Sequence, residues 1–368
     1  MYESRIVADP VTVAASPGFS PEIDALAAHS FARYGFLRAA WYGAGGDSES
    51  EARTLLVRRR DTGVPLAAIP TVPFGPAIAG ARKVPGPYWP LRGVLVAPDC
   101  DTVELAEALC HHAANCLGPV WRLGPARACD PALGRLVAAA RLAGWSVLSR
   151  PAGTSWVVDC AALREAGWPR NSTEKRIARM ERRLAKHGAV SWQYVRGRDW
   201  NKDVFAELGS VEAASWIGSK TDGSGAKFMT PRQRAQWRNA VSDPVLGAML
   251  CATILRVGGR AVAFSFDCDD GPVRYGIAGS YRTDFGKYEV GKLANKRSLS
   301  DAIGAGQQVV DFGAGDSGYK RDMGAVPGYD LADLLFVRSR IAARVLERVW
   351  GPPMPAPEPM AMEVPAHG

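Results

Sequence analysis

The sequence lacks any uninterrupted run of about 18 apolar residues, the length that a membrane-spanning helix requires. It also lacks a recognisable secretion signal, because its opening residues, MYESRIVADP, include acidic side chains and no apolar core. These two absences predict a cytoplasmic protein. They leave open a peripheral position at the inner face of the membrane, since such attachment needs no spanning segment.

Cysteine pairs of the kind that form disulfides or bind metals are also scarce. The sequence has seven cysteines, an odd number, and no C-x-x-C pair, which favours reduced thiols. The one metal-like cluster, Cys110-His111-His112 with Cys116, falls in a segment with the apolar spacing of a helix. Structural zinc normally needs a second ligand pair at a defined distance, so no metal site is predicted.

Basic residues outnumber acidic ones, giving a formal net charge of +8, and they are concentrated between residues 164 and 198. An excess of this sign favours anionic partners such as phosphates, nucleic acid or an acidic membrane face. The basic helix predicted at 171–188 has no interleaved Phe, Trp or Tyr, and the sequence shows no known nucleic-acid-reading module. Sequence-specific nucleic-acid binding is therefore not predicted.

Apolar spacing and turn residues divide the 368 residues into two α/β units, a helix and a tail. A hairpin around Asp61-Thr62-Gly63 in the first unit has a faint counterpart near residue 258 in the second. The second unit is predicted to hold a basic helix at 171–188, a three-stranded meander at 248–281, a helix at 290–303 and a strand at 308–312. The predicted divisions are 1–150, 151–330, a helix at 331–350, and a proline-rich disordered tail at 351–368.

The segment GAGDSG at residues 313–318 matches G-x-G-x-x-G and follows an apolar strand. A dinucleotide site would need a long helix next, and Gly324, Pro327 and Gly328 forbid one. The same objection weakens a methyl-donor loop, so a tight turn closing a buried strand is predicted. Two acids, a phenol and an amine gather at and past the end of that strand, namely Asp311, Asp316, Tyr319 and Lys320. They form a candidate site. The alternative is that Asp316 and Lys320 form only a surface ion pair.

Four stretches, in this order, resemble the GNAT-superfamily proteins of the CelD and FemAB-like group, acyltransferases associated with cellulose or exopolysaccharide synthesis. They are KRIARMERRLAKHG at 175–188, ASWIGSKTDGSG at 214–225, YRTDFGKYEVGKLANKRSLSDAIGAG at 281–306 and DFGAGDSGYK at 311–320. The resemblance implies an α/β (α+β) fold of tandem GNAT-like domains, each a mixed, mostly antiparallel sheet flanked by helices. The first domain would be a degenerate copy.

The resemblance also implies a chemistry: acetyl-CoA or another acyl-CoA as cosubstrate, with no cofactor permanently bound. The donor's pyrophosphate would meet a helix N-terminus and nearby cations, at Arg282, Lys287, Val290, Gly291 and Lys292. Acid–base catalysis would fall to Asp267 or Asp316 as the base and to Tyr319 or Tyr281 as the proton donor, with Lys320 beside them. Trp216 and Lys220 would contact the acceptor, with Ile217 standing where the group usually has lysine.

The helix predicted at 331–350 carries a column of arginines, with an apolar stripe predicted to face the opposite way. Like charges stacked in this way favour a bound anion, either a regulatory nucleotide such as a cyclic dinucleotide or an anionic membrane surface. A surface helix relieved by Glu347 is the alternative. The column consists of Arg338, Arg340, Arg344 and Arg348, and the stripe of Leu334, Val337, Ile341, Val345 and Val349.

The resemblance implies an N-acyltransferase acting on an amino sugar of an envelope or extracellular polysaccharide, or on its precursor. Two alternatives stay open. One is transfer of an amino acid from charged tRNA, as in Fem-like enzymes, which the basic helix would also suit. The other is a non-catalytic regulatory binding protein. In this sequence Glu289-Val290 replaces the Ser-Pro that the group usually has before Gly291, and this change would then have abolished affinity for the donor.

Overall fold

A computed structural model describes residues 10–29, 34–45, 49–87, 91–169, 171–223, 225–315 and 318–354. Thirteen strands in these ranges form one sheet. They are β1 Val11–Pro17, β2 Arg53–Arg59, β3 Pro65–Pro73, β4 Arg82–Lys83, β5 Leu95–Val96, β6 Val120–Arg127, β7 Ser146–Asp159, β8 Val190–Arg196, β9 Leu250–Val257, β10 Arg260–Asp270, β11 Val273–Tyr281, β12 Val309–Ala314 and β13 Val326–Val337.

Helices cover both faces of this sheet. Among the described residues, no helix combines the length and the apolar character needed to cross a membrane. The helices are α1 Glu22–His29, α2 Ala39–Gly43, α3 Thr102–Cys110, α4 Pro131–Leu142, α5 Cys160–Glu165, α6 Asn171–Leu184, α7 Lys202–Ala213, α8 Trp216–Lys220, α9 Pro231–Ser242, α10 Pro244–Met249, α11 Val290–Gly304, α12 Tyr319–Asp322 and α13 Arg340–Trp350.

The strand order is β1-β2-β3-β4-β6-β13-β7-β12-β11-β10-β9-β8, with β5 paired to β3. Each half of the sheet contains an antiparallel hairpin, β2–β3 or β9–β10, followed by a parallel pair, β4–β6 or β11–β12. The predicted fold class is thus confirmed as a mixed, mostly antiparallel sheet flanked by helices, with the same pattern in both halves.

The predicted meander is confirmed as β9, β10 and β11, and its turns explain why it forms. Gly258 and Gly259 join β9 to β10 with φ of +58° and +79°, values that residues with a side chain rarely adopt. Two consecutive left-handed residues match the twist of the flanking strands, so this glycine pair sets the register of the hairpin. Gly271, at φ +55°, makes the next turn.

Aromatic side chains tie the two halves of the molecule together. Under the meander, Phe266 lies edge-on to Phe228 and Trp237, with ring centroids 5.1 and 4.8 Å apart. Trp41 of α2 contacts Trp237 of α9 at 6.1 Å. Buried aromatic pairs stabilise a core through both area and geometry, so α2 from the first half is held against the second half.

The helix predicted over residues 331–350 is wrong in its first part. Val326–Val337 form β13, which inserts between β6 and β7, and α13 begins only at Arg340. Leu331 to Val337 are all buried, because β13 is covered on both faces. A strand buried on both faces shows no alternation, so its apolar spacing imitates that of a helix.

Two other predictions at the ends of elements also need correction. The sequence of residues 20–45 predicts one helix, whereas the structure has two, α1 and α2, whose connection includes residues 30–33, outside the described ranges. Residues 355–368 of the predicted disordered tail lie outside the described ranges as well. Its first residues are ordered on β7, where Ser149 N donates to Pro352 O and Met354 N to Val147 O, both at 2.9 Å.

The predicted domain boundary near residue 150 falls inside β7, which runs unbroken from Ser146 to Asp159. Its first part pairs with the end of β13 and its last part with β12. In the sequence, Pro151 and Gly153 indicate a turn between two strands. In the structure it is one strand that belongs to both halves of the sheet.

Candidate functional site

The candidate site lies where two parallel strands separate. β11 pairs with β12 only over Val273–Tyr275, and β12 then turns towards Ser155 of β7. Beyond Tyr275, no described strand pairs with that edge of β11. The gap is a cleft of about 510 Å³, lined by β10, β11, the first turns of α11, Phe312 of β12, Tyr319 and Trp216.

Asp267 occupies the narrow end of the cleft. Its carboxylate accepts hydrogen bonds from Ser265 Oγ at 2.9 and 3.0 Å and from Ser298 Oγ of α11 at 2.8 Å. A β-bulge separates Phe266 from Asp267 in the pairing of β10 with β11. Bulges re-aim side chains and recur beside active sites, which fits the position of this carboxylate in the cleft wall.

The environment of Asp267 favours proton exchange near neutral pH. Burial raises the pKa of Asp267 from 3.8 to about 6, although Arg274 and the two serine hydroxyls act in the opposite direction. A carboxyl group with a pKa in this range is ionised at neutral pH and still basic enough to take up a proton. The prediction of Asp267 as a candidate base is therefore consistent with its geometry.

The wide end of the cleft meets the start of α11. The backbone N–H groups of Val290, Gly291 and Lys292 donate to no group in the described part of the chain, whereas Leu293 N donates to Glu289 O at 3.0 Å. Free amides at a helix N-terminus form a favourable site for an anion. Gly291 and Lys292 line the cleft, whereas Val290 is buried completely, so its predicted contact with the donor is not supported by its position.

Gly291 is needed where the helix meets the end of β11. A Cβ atom at this position would lie 2.6 Å from Cδ1 of Tyr281, closer than real contacts allow. Tyr281 therefore packs over the helix start, at the far end of the cleft from Asp267. Gly276 pairs with Asp267, so five residues of β11 place Tyr281 roughly 16 Å away along the strand.

Charged side chains surround the same helix start. Lys292 lines the cleft, and its Nζ lies 2.7 Å from Asp322 Oδ2 and 3.7 Å from Glu289 Oε1. Glu289, which also pairs with Arg176 at 3.0 Å, has a φ of +54°. A side-chain-bearing residue in the left-handed region is strained, and such strain often marks functional turns.

The other two cations predicted to bind the donor are placed differently. Arg282 lies beside Asp284, with Nε 3.3 Å from Oδ1. Lys287 lies over the ring of Tyr288, with Nζ 5.2 Å from its centroid. Both belong to the segment between β11 and α11, so they border the helix start and leave Lys292 as the cation in the cleft wall.

The glycine-rich segment closes β12, as predicted. The helix that follows, α12, has four residues, which excludes the long helix of a dinucleotide fingerprint. Tyr319 lines the cleft and lies edge-on to Phe312, with ring centroids 6.1 Å apart. Lys320 is buried instead, and its Nζ donates to the carbonyl oxygens of Gly313 at 2.8 Å and Ala314 at 3.0 Å. Asp316 lies outside the described residues.

Asp311 fastens the segment rather than facing the cleft. Its buried carboxylate accepts from Ser155 Oγ, from Tyr329 OH and from Gly313 N, the last at 2.8 Å. Burial raises the pKa of Asp311 while these donors oppose the rise. One side chain thus joins β12 to β7 and β13, which keeps β12 turned away from β11.

The two residues predicted to contact the acceptor lie on α8. Trp216, the first residue of this helix, is 52% exposed and lines the cleft. Lys220 is exposed at the other end of α8. The N-cap Ser215 accepts from Ile217 N at 3.1 Å and fixes where the helix begins. Trp216 is therefore available at the cleft mouth as an apolar contact surface.

Sequence reasoning missed the residues that support Asp267 from α11. Ser298 holds its carboxylate, and Asn295 lines the cleft one turn earlier. Both lie on the side of α11 that faces the cleft strands. In a single sequence, polar residues on a helix do not show whether they face solvent or a functional site. The buried Arg274 was missed as well, although it binds Asp269 at 2.6 Å and Asp301 at 2.9 Å.

Two other predicted groups lie away from the cleft strands. The four C-terminal arginines lie on and beside α13, which packs against β7 and β13. In the metal-like cluster, Cys110 is exposed at the end of α3, and the Nδ1 of His111 accepts from Ala113 N at 3.2 Å. Across the described residues, no group of three or more His, Cys, Asp or Glu side chains is arranged to hold a metal ion.

Comparison with known proteins agrees with this architecture. The family model of the acetyltransferase (GNAT) domain matches residues 171–321, which contain the cleft. No curated protein matches the chain in sequence. FemX has a similar structure, with a TM-score of 0.55 at 10% identity, over 89% of this chain and 98% of that one.

Two further structures are similar over most of the chain. The C-terminal domain (DUF2156) of a putative lysylphosphatidylglycerol synthetase from Agrobacterium fabrum has a TM-score of 0.54 at 12% identity, covering 89% of this chain and 93% of that one. L-PGS from Bacillus licheniformis has a TM-score of 0.53 at 14% identity, covering 92% and 99%. At such identities these likenesses show the fold alone.

The matched residues, 171–321, form a GNAT acetyltransferase domain, and this domain supports an acyltransferase. GNAT domains generally use an acyl-CoA cosubstrate. The narrower resemblance to the CelD-like group stays a prediction, since FemX supports the fold and no comparison singles out that group.

Proposed function

We propose that the protein transfers an acyl group from a coenzyme A thioester to the amino group of an amino sugar in an envelope polysaccharide or its precursor. The observation that carries the proposal is the cleft between β11 and β12, with free helix amides at one end and a buried carboxylate at the other. An elongated donor with an anionic end and a reactive end suits this arrangement.

The donor would lie along β11 and α11. Its pyrophosphate would accept hydrogen bonds from the amides of Gly291 and Lys292, where the helix dipole favours negative charge. From there to Ser298, beside Asp267, the helix rises by about 12 Å. This span suits an extended pantetheine arm paired with the free edge of β11, with the thioester near Asp267.

The transfer itself would need one base and one acid near the thioester. The acceptor nitrogen attacks the carbonyl carbon, a C–N bond forms, and the C–S bond breaks. Asp267 takes the proton from the nitrogen, and the Tyr319 hydroxyl gives a proton to the departing sulfur. Tyr319 contacts Phe312, whose Cα lies beside Gly276 at the narrow end, whereas Tyr281 stands at the donor's anionic end.

The acceptor would enter from the mouth of the cleft past Trp216. Exposed tryptophan offers a flat apolar face that suits the less polar face of a sugar ring. Lys220, at the outer end of α8, is proposed to contact anionic groups of the acceptor.

Ligand-dependent stabilisation tests the donor class. Acetyl-CoA, or a longer acyl-CoA, should raise the melting temperature by about 3–5 °C at about 100 times its Kd, because it binds only the folded state. Acylpantetheine without the nucleotide should give a smaller shift, since it cannot reach the α11 amides. Absence of a shift with every acyl-CoA tried would contradict the proposal.

A single methyl group tests the position of the donor's anionic end. Gly291→Ala should raise the KM for acyl-CoA on the order of tenfold or more, because the new Cβ displaces Tyr281 at the helix start. Gly304→Ala is the matched control, since it makes the same change in the same helix where the Cβ meets open space. Equal kinetics for both variants would place the donor elsewhere.

A second candidate, transfer from aminoacyl-tRNA, is favoured by the surface next to α11. The cations of α6 are exposed, and Arg183 and Lys287 both lie over the ring of Tyr288, at 5.5 and 5.2 Å. Cations stacked with an aromatic ring suit a nucleic-acid backbone and its bases. Copurification of RNA, seen in the ratio of absorbance at the nucleic-acid and protein maxima, would favour this candidate.

A further inference from the structure

Helix α13 turns an apolar stripe outward. Its inner side packs on β7 and β13 through Ala343, Leu346 and Trp350. Ile341, Val345 and Val349 are exposed by 78%, 64% and 76%. The sequence pattern placed these three in one helical stripe with Leu334 and Val337, and this is wrong because those two belong to β13. Three exposed aliphatic residues spaced four apart form a continuous stripe.

A column of arginines runs beside this stripe. Arg340, Arg344 and Arg348 each precede one of the apolar residues, so the column is rotated by about 100° around the helix. All three are exposed and make no hydrogen bond or ion pair with any described residue. Arg338 is different, because it donates to Asn115 and lies 4.6 Å above the ring of Trp145.

The two columns together point to one kind of partner. Free cations alone would suit any phosphate, including a soluble nucleotide. The adjoining aliphatic stripe adds nothing to a nucleotide phosphate, but it can enter the acyl-chain boundary of a bilayer while the arginines contact the headgroups. Glu347, the acidic residue of α13, lies on the other side of the arginine column from the stripe.

We propose that α13 docks the protein on the surface of a membrane that contains anionic phospholipids, with Ile341, Val345 and Val349 inserted and Arg340, Arg344 and Arg348 on headgroup phosphates. The helix lies parallel to the bilayer. This inference rests on the surface of α13 and is independent of the acyl donor and of the cleft.

Vesicle sedimentation tests the proposal with the full chain. The protein should pellet with vesicles of phosphatidylcholine and phosphatidylglycerol and stay in solution with phosphatidylcholine alone. The triple variant Ile341→Ser/Val345→Ser/Val349→Ser should lose at least about tenfold in vesicle affinity, as should Arg340→Gln/Arg344→Gln/Arg348→Gln. All six side chains are exposed, so circular dichroism and the melting temperature should match the wild type.

The control removes three cations from another exposed basic helix, as Arg179→Gln/Arg182→Gln/Lys186→Gln, and should keep its vesicle affinity. An equal loss in this control would overturn the proposal, because net charge alone would then explain binding. The serine variant could instead keep its affinity for vesicles, with a cyclic dinucleotide displacing the protein from them. That result would overturn the membrane proposal and identify a nucleotide as the ligand of the arginines. If the wild type is a dimer and the serine variant a monomer, the apolar stripe binds a second copy of the chain and the membrane proposal is overturned.

Discussion

Replacing Asp267 with asparagine is expected to lower kcat/KM for acyl transfer by about 10²–10⁴-fold, the usual contribution of a general base. The carboxylate is buried in the cleft wall and held by Ser265 and Ser298, so an amide occupies the same space without accepting a proton. In the wild type, kcat/KM should rise with pH through about 6, where Asp267 ionises, and then level off. The variant should lose this dependence.

Asp270 supplies the matched control on the same strand. It is buried, burial raises its pKa to about 7, and its carboxylate accepts from Gly35 N at 3.1 and 3.2 Å. Asp270→Asn should keep kcat/KM close to the wild-type value, because this residue faces the first half of the chain. A loss in kcat/KM of less than about tenfold for Asp267→Asn would contradict its role as general base. Asp267 would then serve only to join β10 to α11.

Unfolding does not explain the loss expected for Asp267→Asn. An acid whose folded-state pKa is raised favours the native state fully below 3.8 and loses that contribution as the pH rises through about 6. The ionised carboxylate therefore costs the wild type roughly 2–4 kcal/mol of stability at neutral pH. Asparagine does not ionise, so the melting temperature of the variant at pH ~7.5 should equal or exceed that of the wild type.

Replacing Arg274 with methionine is expected to lower the free energy of unfolding by about 3–5 kcal/mol, measured by urea denaturation. Its guanidinium is 1% exposed and binds both oxygens of Asp269, at 2.6 and 2.9 Å. It also binds Ser298 O and Asp301, both at 2.9 Å. Methionine fills the space but leaves Asp269, itself buried, with Arg196 as its remaining cationic partner.

The same substitution should also affect the site, because Arg274 holds the backbone of Ser298, whose hydroxyl positions Asp267. At temperatures where the variant stays folded, kcat should fall. The KM for acyl-CoA should change little, because Arg274 contacts Ser298 and Asp301 and does not contact the start of α11. Arg260→Met is the control on a neighbouring strand. Its partner Asp284 is 3.8 Å away with both side chains about half exposed, so stability should hardly change. Similar losses in both variants would refute the role assigned to Arg274.

Local signals predicted the parts of the fold that are held by local contacts. The meander was readable because Gly258-Gly259 and Gly271 separate three apolar runs, and each strand pairs with its neighbour in sequence. The turn after β12 was readable for the same reason, since Gly324, Pro327 and Gly328 exclude a long helix.

Strand β13 could not be predicted from the sequence, because its conformation depends on strands that are distant in the chain. Leu331, Leu334, Leu335 and Val337 satisfy helical spacing, and only the positions of β6 and β7 on either side impose extended backbone. Of the predicted stripe, only Ile341, Val345 and Val349 lie on α13, because Leu334 and Val337 belong to β13. Assigning β13 to a helix therefore merged residues of two elements into one predicted stripe.

The candidate site was readable in part. Six predicted residues line one cleft in the structure, namely Asp267, Tyr281, Tyr319, Gly291, Lys292 and Trp216. Lys320 was grouped with them because it is adjacent in sequence, yet its side chain turns into the segment behind Tyr319. The serines that hold Asp267 come from β10 and α11, and no spacing within either segment reveals that they meet.

The position of β13 constrains how the chain reaches its native state on the ribosome. The first half of the sheet needs β13 to complete the pairing of β6, and β13 is the last strand made. Until residues 326–337 emerge, β6 and the start of β7 expose unpaired backbone that neighbouring nascent chains can join. Biosynthesis of this protein should therefore depend on chaperones that shield the N-terminal half until translation is nearly finished.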